Sequence, residues 1–228
     1  IMNFCAIKDI VNPKRVIDIG ANVGEFASSL GNTCTDVDIT MIEANPNCKD
    51  KLSEIGYPYI ILALSNNKKQ KVKFFIEKNN NTCSGASLYR ENTDFYIDCN
   101  ELDVDTYLLD ELNIYPEGID LIKIDVQGSE KDIIEGSTNT LKRTNYLALE
   151  LSFANYNIGA PQIEEVISTL EKFGFYPLKI LSEHWSRIGI DLPSVSVVQQ
   201  IDVLFSKIKN NLCQEKIAQY RKKYNDVI

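Results

Sequence analysis

The sequence lacks the features that mark several common classes of protein. It has six cysteines but no CxxC pair, which favours reduced thiols in a cytoplasm-like compartment over a disulfide framework. No apolar run approaches the roughly 18 residues that a membrane span requires, and no positively charged segment precedes a signal-like core. The net charge of −8 disfavours nonspecific binding to nucleic acid or to an anionic membrane. We therefore expect a cytoplasmic protein with no membrane span and no nucleic-acid partner.

The chain length and its patterning indicate one domain. The 228 residues fit a single unit over 1–228, with a lead-in over 1–15 and a charged C-terminal helix over 207–228. No internal repeat interrupts this organisation. A domain of this size buries enough apolar surface to fold without disulfides or structural metals.

Short apolar runs alternate with helical patterns along the chain. Strands are predicted in RVIDIG, DITMIEA, YIILALS, DLIKIDV, YLALELSF, YPLKIL and DVLFSK. Helices are predicted over Gly24–Gly31, Asn47–Ile55, Val104–Leu112, Ser129–Lys142 and Pro161–Phe173. Strands that are apolar on both faces and separated by helices indicate a mainly parallel α/β sheet covered on both sides. The last two strands have no helix between them, which predicts an antiparallel hairpin at one edge.

The stretch VIDIGANVGEF is typical of a strand that ends in a ligand-binding turn before a helix. A dinucleotide fingerprint would need glycine at positions 22 and 25, where this chain has Asn22 and Glu25. An acid in the first turn of the helix would repel a pyrophosphate, so NAD and FAD are disfavoured. S-adenosylmethionine suits the turn better because it has an adenosine and an amino-acid end but no phosphate. A turn that binds no ligand is the alternative for this motif alone.

Two carboxylates complete this half of the predicted site. Asp18 ends the first strand and is expected to organise the turn and to contact the methionine ammonium, directly or through water. Gly20 and Gly24 let the backbone pass close to a ligand. Glu43, in MIEANP, ends the next strand, and a carboxylate at this position accepts hydrogen bonds from both ribose hydroxyls.

A second dense stretch, GIDLIKIDVQGSEKDIIEG, places charged residues inside an apolar strand. Lys123 is costly to bury unless it is paired, and Asp18 or Glu150 is the expected partner. Asp125, at the carboxyl end of this strand, is a candidate for a ligand-binding or catalytic role. Acids gathered on one rim repel one another unless a cation joins them. The sulfonium and ammonium of S-adenosylmethionine would do so; a divalent metal held by Asp125 and Glu150 is the alternative.

These motifs together resemble a known family. VIDIGANVGEFA, MIEANP, ALS, GASLY, LDVDTYL, IDLIKIDVQGSEKDIIEG and LALELSF occur in the order seen in the FkbM family of S-adenosylmethionine-dependent methyltransferases, over about residues 16–205. The resemblance implies a Rossmann-like class I methyltransferase fold, with a seven-stranded, mostly parallel sheet, an antiparallel last strand and helices on both faces. It also implies O-methylation, commonly of a sugar hydroxyl.

The resemblance also assigns roles to matching residues. The methionine end of the cofactor would be lined by Asp18, Gly20, Asn22 and Gly24. The ribose would be held by Glu43 with Ala44 beside it, and the adenine would lie near Ala63, Leu64 and Ser65. Ser87 would close over the cofactor, and Asp125 would face the reaction centre. The chain departs from the family pattern at Gln127, where many members have an acid, and at Ser152, where many have histidine.

The catalytic candidates are Asp125, Glu150 and His184. A sugar hydroxyl is a poor nucleophile, so a positioned base is expected, and Asp125 is the first candidate. His184, the only histidine, follows the sixth predicted strand in LSEHWSR, and a loop or packing role is its alternative. The leading hypothesis is an O-methyltransferase acting on a sugar in a glycan or a sugar nucleotide. The alternatives are a methyltransferase of a small metabolite or lipid-like alcohol, and a noncatalytic module of a larger protein.

Overall fold

The computed structural model describes residues 2–68, 70–78, 85–188 and 195–227. Its main sheet has seven strands in the order β3-β2-β1-β7-β8-β10-β9. These strands are β1 (Arg15–Ile19), β2 (Asp38–Glu43), β3 (Tyr59–Ile61), β7 (Ile119–Ile124), β8 (Thr144–Ser152), β9 (Tyr176–Ile188) and β10 (Val195–Ser206). A second sheet has the order β4-β6-β5 and contains β4 (Ala63–Leu64), β5 (Lys71–Glu77) and β6 (Cys99–Tyr107).

Helices connect the strands of the main sheet. They are α1 (Phe4–Ile10), α2 (Glu25–Thr33), α3 (Lys49–Ile55), α4 (Leu109–Leu112), α5 (Glu130–Glu135), α6 (Thr138–Lys142), α7 (Ile163–Lys172) and α8 (Asn211–Asn225), with 3₁₀ turns at Pro46–Cys48 and Asp94–Tyr96. No helix among the described residues is long and apolar enough to cross a membrane.

The direction of the strands follows the sequence prediction. β1 pairs in parallel with β2 and β7, β7 pairs in parallel with β8, and β10 runs antiparallel to both β8 and β9. The predicted Rossmann-like class I methyltransferase fold is confirmed, since this order and the antiparallel β10 are those that the prediction requires. The strand order reverses between β1 and β7, and ligands of open α/β sheets bind beyond the carboxyl ends of the strands at such a point.

Alternate residues of the central strands pack into two separate hydrophobic cores, one on each face of the sheet. Val16 of β1 and Leu121 of β7 pack with α2 and α3 on one face, whereas Ile17 and Ile122 pack with α5, α6 and α7 on the other. Burial on both faces explains why these strands are continuous apolar runs. The prediction of helices on both faces is confirmed.

Three predictions of secondary structure are wrong. The predicted helix Val104–Leu112 is half strand: residues 104–107 belong to β6, which pairs with β5 and β4, and only Leu109–Leu112 is helical. The predicted helix Ser129–Lys142 is two short helices separated at Gly136, where a Cβ atom would lie 2.2 Å from the backbone oxygen of Ser65. The strand predicted in YPLKIL is too short, since β9 continues past it through His184 to Ile188 and pairs with β10.

The run YIILALS is a further case, because it divides between the two sheets. Tyr59–Ile61 pairs with β2, whereas Ala63–Leu64 pairs with β6. Leu62 between them still donates its N–H to the carbonyl oxygen of Glu43. This transfer from one sheet to the other brings Ala63 and Leu64 beside the carboxyl end of β2.

Candidate functional site

A cavity of about 130 Å³ lies at the carboxyl ends of β1, β2, β4 and β7, and we call it the turn cavity. Seven residues of the predicted cofactor site line it: Gly20, Asn22, Glu43, Ala44, Ala63, Leu64 and Asp125. The far wall comes from the segment after β5, through Gly85, Ala86 and Leu88. The predicted turn and the predicted strand ends therefore meet around one space.

Glu43 ties the glycine turn to the end of β2. One carboxylate oxygen accepts the N–H of Asn22 and the other accepts the N–H of Asn45, both at 2.7 Å. Burial raises the pKa of Glu43, and the N–H groups of Asn45 and Asn22 act against that rise. Because each carboxylate oxygen carries two lone pairs, one acceptor position per oxygen is left for a pair of ribose hydroxyls. The residue thus fits the role that the sequence assigns to it.

The backbone of the glycine turn lies directly against β7. A Cβ atom at Gly20 would lie 1.8 Å from the carbonyl oxygen of Asp125, and its φ of +73° also favours glycine. Gly24 (φ +83°) precedes α2 and packs against Ile55, and it does not line the turn cavity. Gly20 therefore shapes the cavity, whereas Gly24 sets the direction of the helix that follows.

The carboxylate of Asp18 is buried beside Lys123 and lines neither of the cavities described here. The parallel pairing of β1 and β7 places Asp18 opposite Lys123, and the Nζ atom lies 3.3 Å from Asp18 Oδ1. The same Nζ lies 3.3 Å from Asp125 Oδ2 and donates to the carbonyl oxygen of Gly20 at 2.9 Å. Burial lowers the pKa of Lys123, but the charges of Asp125 and Asp18 outweigh it and raise the pKa overall. Asp18 and Glu150 were the predicted partners of Lys123. In the structure Lys123 pairs with Asp18 and with Asp125, not with Glu150.

A second cavity of about 320 Å³ adjoins the first, and we call it the acidic cavity. It shares Gly20, Asn22 and Asp125 with the turn cavity. Its ionisable lining residues are Glu25, Lys123, Asp125, Glu150, His184 and Asp202. Together the two volumes fall in the range of small-molecule sites, ~300–1,000 Å³. The structure thus brings the three catalytic candidates Asp125, Glu150 and His184 to one space beside the predicted cofactor site.

Gln127 joins two of these acids. Its Nε2 donates to Asp125 Oδ1 at 3.1 Å and to Glu150 Oε2 at 2.7 Å, so an amide stands between the two carboxylates for which the sequence suggested a shared metal. Burial, followed by the charges of Asp125 and Asp202, raises the pKa of Glu150 to about 8. The backbone of Gln127 has φ +58°, a left-handed conformation that costs a non-glycine residue about 1–3 kcal/mol. Strain of this kind concentrates at functional sites.

Two predicted residues support the walls without lining the cavities. Ser87 exchanges backbone hydrogen bonds with Phe75, and its Oγ donates to the carbonyl oxygen of Gln127 at 2.7 Å. Ser65 donates its N–H to the carbonyl oxygen of Tyr107 and does not line the turn cavity. Ser87 thus connects the segment over the turn cavity to the loop after β7, and Ser65 stabilises the second sheet.

Two residues of this site were missed by the sequence reasoning. Asp202 of β10 is buried, and its Oδ2 lies 3.3 Å from His184 Nε2. Gln200 donates from Nε2 to Glu150 Oε2 at 3.2 Å. The available indication was the spacing of Gln200 and Asp202 in QQIDVLF, since two residues that are two positions apart share one face of a strand.

The strand order and the antiparallel β10 are those of the Rossmann-like class I methyltransferase fold, and the two cavities lie at its strand ends. Comparison with known families is specific: the sequence matches the family model described as "Methyltransferase FkbM domain" over residues 18–177. The chain therefore belongs to the FkbM methyltransferase family, and S-adenosylmethionine is its cofactor. None of the curated proteins compared with the chain gives a significant match.

Several solved structures are similar to the chain. A precorrin-6y C5,15-methyltransferase from Geobacter metallireducens shows 11% identity and a TM-score of 0.48, covering 91% of this chain and 86% of its own. A TehB-like SAM-dependent methyltransferase from Corynebacterium glutamicum shows 11% identity and a TM-score of 0.47, covering 91% and 89%. A fibrillarin pre-rRNA processing protein from Methanococcus jannaschii shows 13% identity and a TM-score of 0.47, covering 90% and 69%.

Proposed function

We propose that this methyltransferase O-methylates a sugar hydroxyl in a glycan or a sugar nucleotide. The main observation in support of this proposal is that Asp125 lines both the turn cavity and the acidic cavity. A cofactor in the first cavity and an acceptor in the second would meet at this carboxylate. A cytoplasmic location and a single domain over 1–228 remain part of the proposal.

The turn cavity suits the cofactor residue by residue. Glu43 would bind the ribose hydroxyls through the acceptor positions that Asn22 and Asn45 leave open. Gly20 and Asn22 would lie along the methionine end, and Ala63 and Leu64 would contact the adenine. When bound, S-adenosylmethionine supplies a methyl group activated by its positively charged sulfur. Asp18 would act at a distance, by fixing Lys123 and through it the carbonyl oxygen of Gly20.

The acidic cavity supports a neutral acceptor. Four carboxylates line it, and Lys123 is already engaged by Asp18 and Asp125. A phosphate placed among these carboxylates would be repelled, whereas sugar hydroxyls can donate hydrogen bonds to them. This favours a sugar of a glycan over the diphosphate part of a sugar nucleotide, and it is consistent with our expectation of no nucleic-acid partner.

Asp125 is the proposed general base. It lines both cavities, and Lys123 and Gln127 fix its two oxygens in position. A base aligned with the acceptor hydroxyl contributes typically about 10²–10⁴-fold to the rate. Glu150 and His184 line the acceptor side and would contact the sugar. Exclusion of water by the segment around Ser87 would keep the acceptor hydroxyl as the nucleophile.

The experiment is methyl transfer from radiolabelled S-adenosylmethionine to a panel of neutral glycans, sugar nucleotides, small alcohols and lipid-like alcohols. Incorporation into a glycan or sugar nucleotide supports the proposal, and incorporation only into the other alcohols contradicts it. Asp125→Asn should lower the rate by about 10²-fold or more while S-adenosylhomocysteine affinity changes little. If Asp125→Asn leaves transfer unchanged, Asp125 is not the base; if no acceptor is methylated, the noncatalytic alternative gains support.

A further inference from the structure

Three side chains on neighbouring strands form a cluster on one wall of the acidic cavity. Asp202 of β10 lies directly opposite Glu150 of β8 on one side and opposite Ser182 of β9 on the other. His184 is two residues beyond Ser182 and therefore points to the same face of the sheet. The ligand atoms of Glu150, His184 and Asp202 all lie within 4.8 Å of one another. We call these three residues the carboxylate–histidine cluster.

We propose that the carboxylate–histidine cluster binds one divalent transition-metal ion. A metal with bonds of ~2.0–2.2 Å to nitrogen and oxygen holds two ligand atoms no more than about 4.4 Å apart. His184 Nε2 and Asp202 Oδ2, at 3.3 Å, already satisfy this spacing. Glu150 needs to approach by only a fraction of an ångström, which a small change of its side-chain torsions provides.

The charges around the cluster favour the binding of a cation. Asp202 is 4% exposed, and buried carboxylates in proteins are paired or coordinate metals. The acidic cavity has four carboxylates against a single lysine, and Lys123 lies between Asp18 and Asp125. Among the described residues that line this cavity, no other lysine or arginine faces Glu150 or Asp202. His184 would contribute a nitrogen ligand, and Glu150 and Asp202 would each contribute a carboxylate oxygen, with Glu150 losing its proton as the ion binds.

Outer hydrogen bonds hold two of the three ligands in place. Glu150 Oε2 accepts from Gln127 Nε2 and from Gln200 Nε2. Ser182 Oγ donates to Asp202 Oδ2. Such outer partners orient ligands in metal sites and tune their affinity. All three ligands also lie on hydrogen-bonded strands, which fixes the relative positions of their backbones.

The ligand types indicate which ion is favoured. Imidazole suits zinc and iron, carboxylates suit manganese and magnesium, and a mixed set therefore favours Mn²⁺, Fe²⁺ or Zn²⁺ over Mg²⁺ and Ca²⁺. Three protein ligands leave open coordination positions toward the cavity, as in catalytic metal sites. Resting on the proposed function, we infer that these positions receive two neighbouring hydroxyls of the sugar acceptor. The ion would then orient the acceptor toward Asp125.

The test is calorimetric titration of the metal-stripped full chain with Mn²⁺ and, separately, with Zn²⁺, with Mn²⁺ electron paramagnetic resonance as a second readout. Wild type should bind one ion, and His184→Ala should lower the affinity at least about 10-fold. Glu25→Gln is the matched control, because it removes one charge from the same cavity but no ligand; its affinity should stay within about twofold. Circular dichroism and S-adenosylhomocysteine binding verify that each variant is folded.

Two results would overturn the proposal. One is the absence of Mn²⁺ and Zn²⁺ binding to wild type up to about 1 mM, the weak end of protein sites for divalent cations. The other is equal affinity in wild type and His184→Ala. Cofactor binding and methyl transfer by the metal-free protein would then leave the proposed function standing, so the two failures are distinguishable.

Discussion

Asp18 and Lys123 face each other across adjacent parallel strands, with Oδ1 and Nζ 3.3 Å apart and both side chains buried. The lysine also contacts Asp125 and the carbonyl oxygen of Gly20, so a single ammonium connects the glycine turn to the carboxylate of Asp125. The sequence predicts that Asp18 contacts the cofactor; the structure pairs its carboxylate with Lys123, and we propose that Asp18 acts through this lysine.

The first prediction concerns this buried ion pair. Lys123→Met leaves the buried carboxylate of Asp18 and the half-buried carboxylate of Asp125 without their cation, and it should lower the free energy of unfolding by about 3–5 kcal/mol, measured by urea denaturation. Lys73→Met is the control, since Lys73 pairs with Asp103 at the solvent-exposed surface and its replacement should lower the free energy of unfolding far less. The double variant Asp18→Asn/Lys123→Met should recover part of the loss; equal effects of the Lys123 and Lys73 variants would contradict the account.

The second prediction compares two glycines with nearly the same backbone conformation. Gly20 has φ +73° and no room for a Cβ atom, whereas Gly159 has φ +77° and nothing within 4 Å. Gly159→Ala should cost about 1–2 kcal/mol from its conformation alone. Gly20→Ala should cost a further 1–3 kcal/mol, roughly the effect of overpacking, and should weaken S-adenosylhomocysteine binding. An equal loss of unfolding free energy in Gly20→Ala and Gly159→Ala, measured by thermal or urea unfolding, would show that the contact with Asp125 is not tight.

The fold was predictable where burial alone decides the element. The central strands are apolar on both faces, and this pattern is enough to indicate a parallel sheet between helices. In β6, LDVDTY alternates apolar and polar residues, the pattern of a half-buried strand, which the helix prediction overlooked and the pairing with β5 shows. The end of β9 was not predicted because SEHWSR is mainly polar, and its pairing with β10 makes it a strand.

The site was predictable where a polar residue lies at the end of an apolar strand. Glu43 is the last residue of β2 and Asp125 directly follows β7, so their positions could be inferred from the sequence. Asp202 could not, since it meets Glu150 and His184 only through the antiparallel register of β10 with its neighbours. The bridge made by Gln127 depends on a left-handed backbone conformation that the side-chain pattern does not indicate.

The third prediction uses the pKa of Glu43, which burial raises. The pKa of Glu43 is about 4.3 in the unfolded chain and higher in the folded protein. At any pH between these two pKa values, the folded state binds more protons than the unfolded state. This contribution to stability is therefore lost as pH rises through that range, by at most about 1.4 kcal/mol per pH unit. Glu43→Gln should flatten the dependence of unfolding free energy on pH from 4.5 upward in the cofactor-free protein. Parallel pH profiles for wild type and variant would contradict this.

The most direct test of the account is calorimetry of the wild-type chain with S-adenosylhomocysteine and, separately, with NAD. We expect saturable binding of S-adenosylhomocysteine and no detectable binding of NAD. Glu43→Ala should bind S-adenosylhomocysteine at least about tenfold more weakly, a loss of ~1.4 kcal/mol or more of binding free energy. Binding of NAD without S-adenosylhomocysteine, or the same affinity in wild type and Glu43→Ala, would contradict the account.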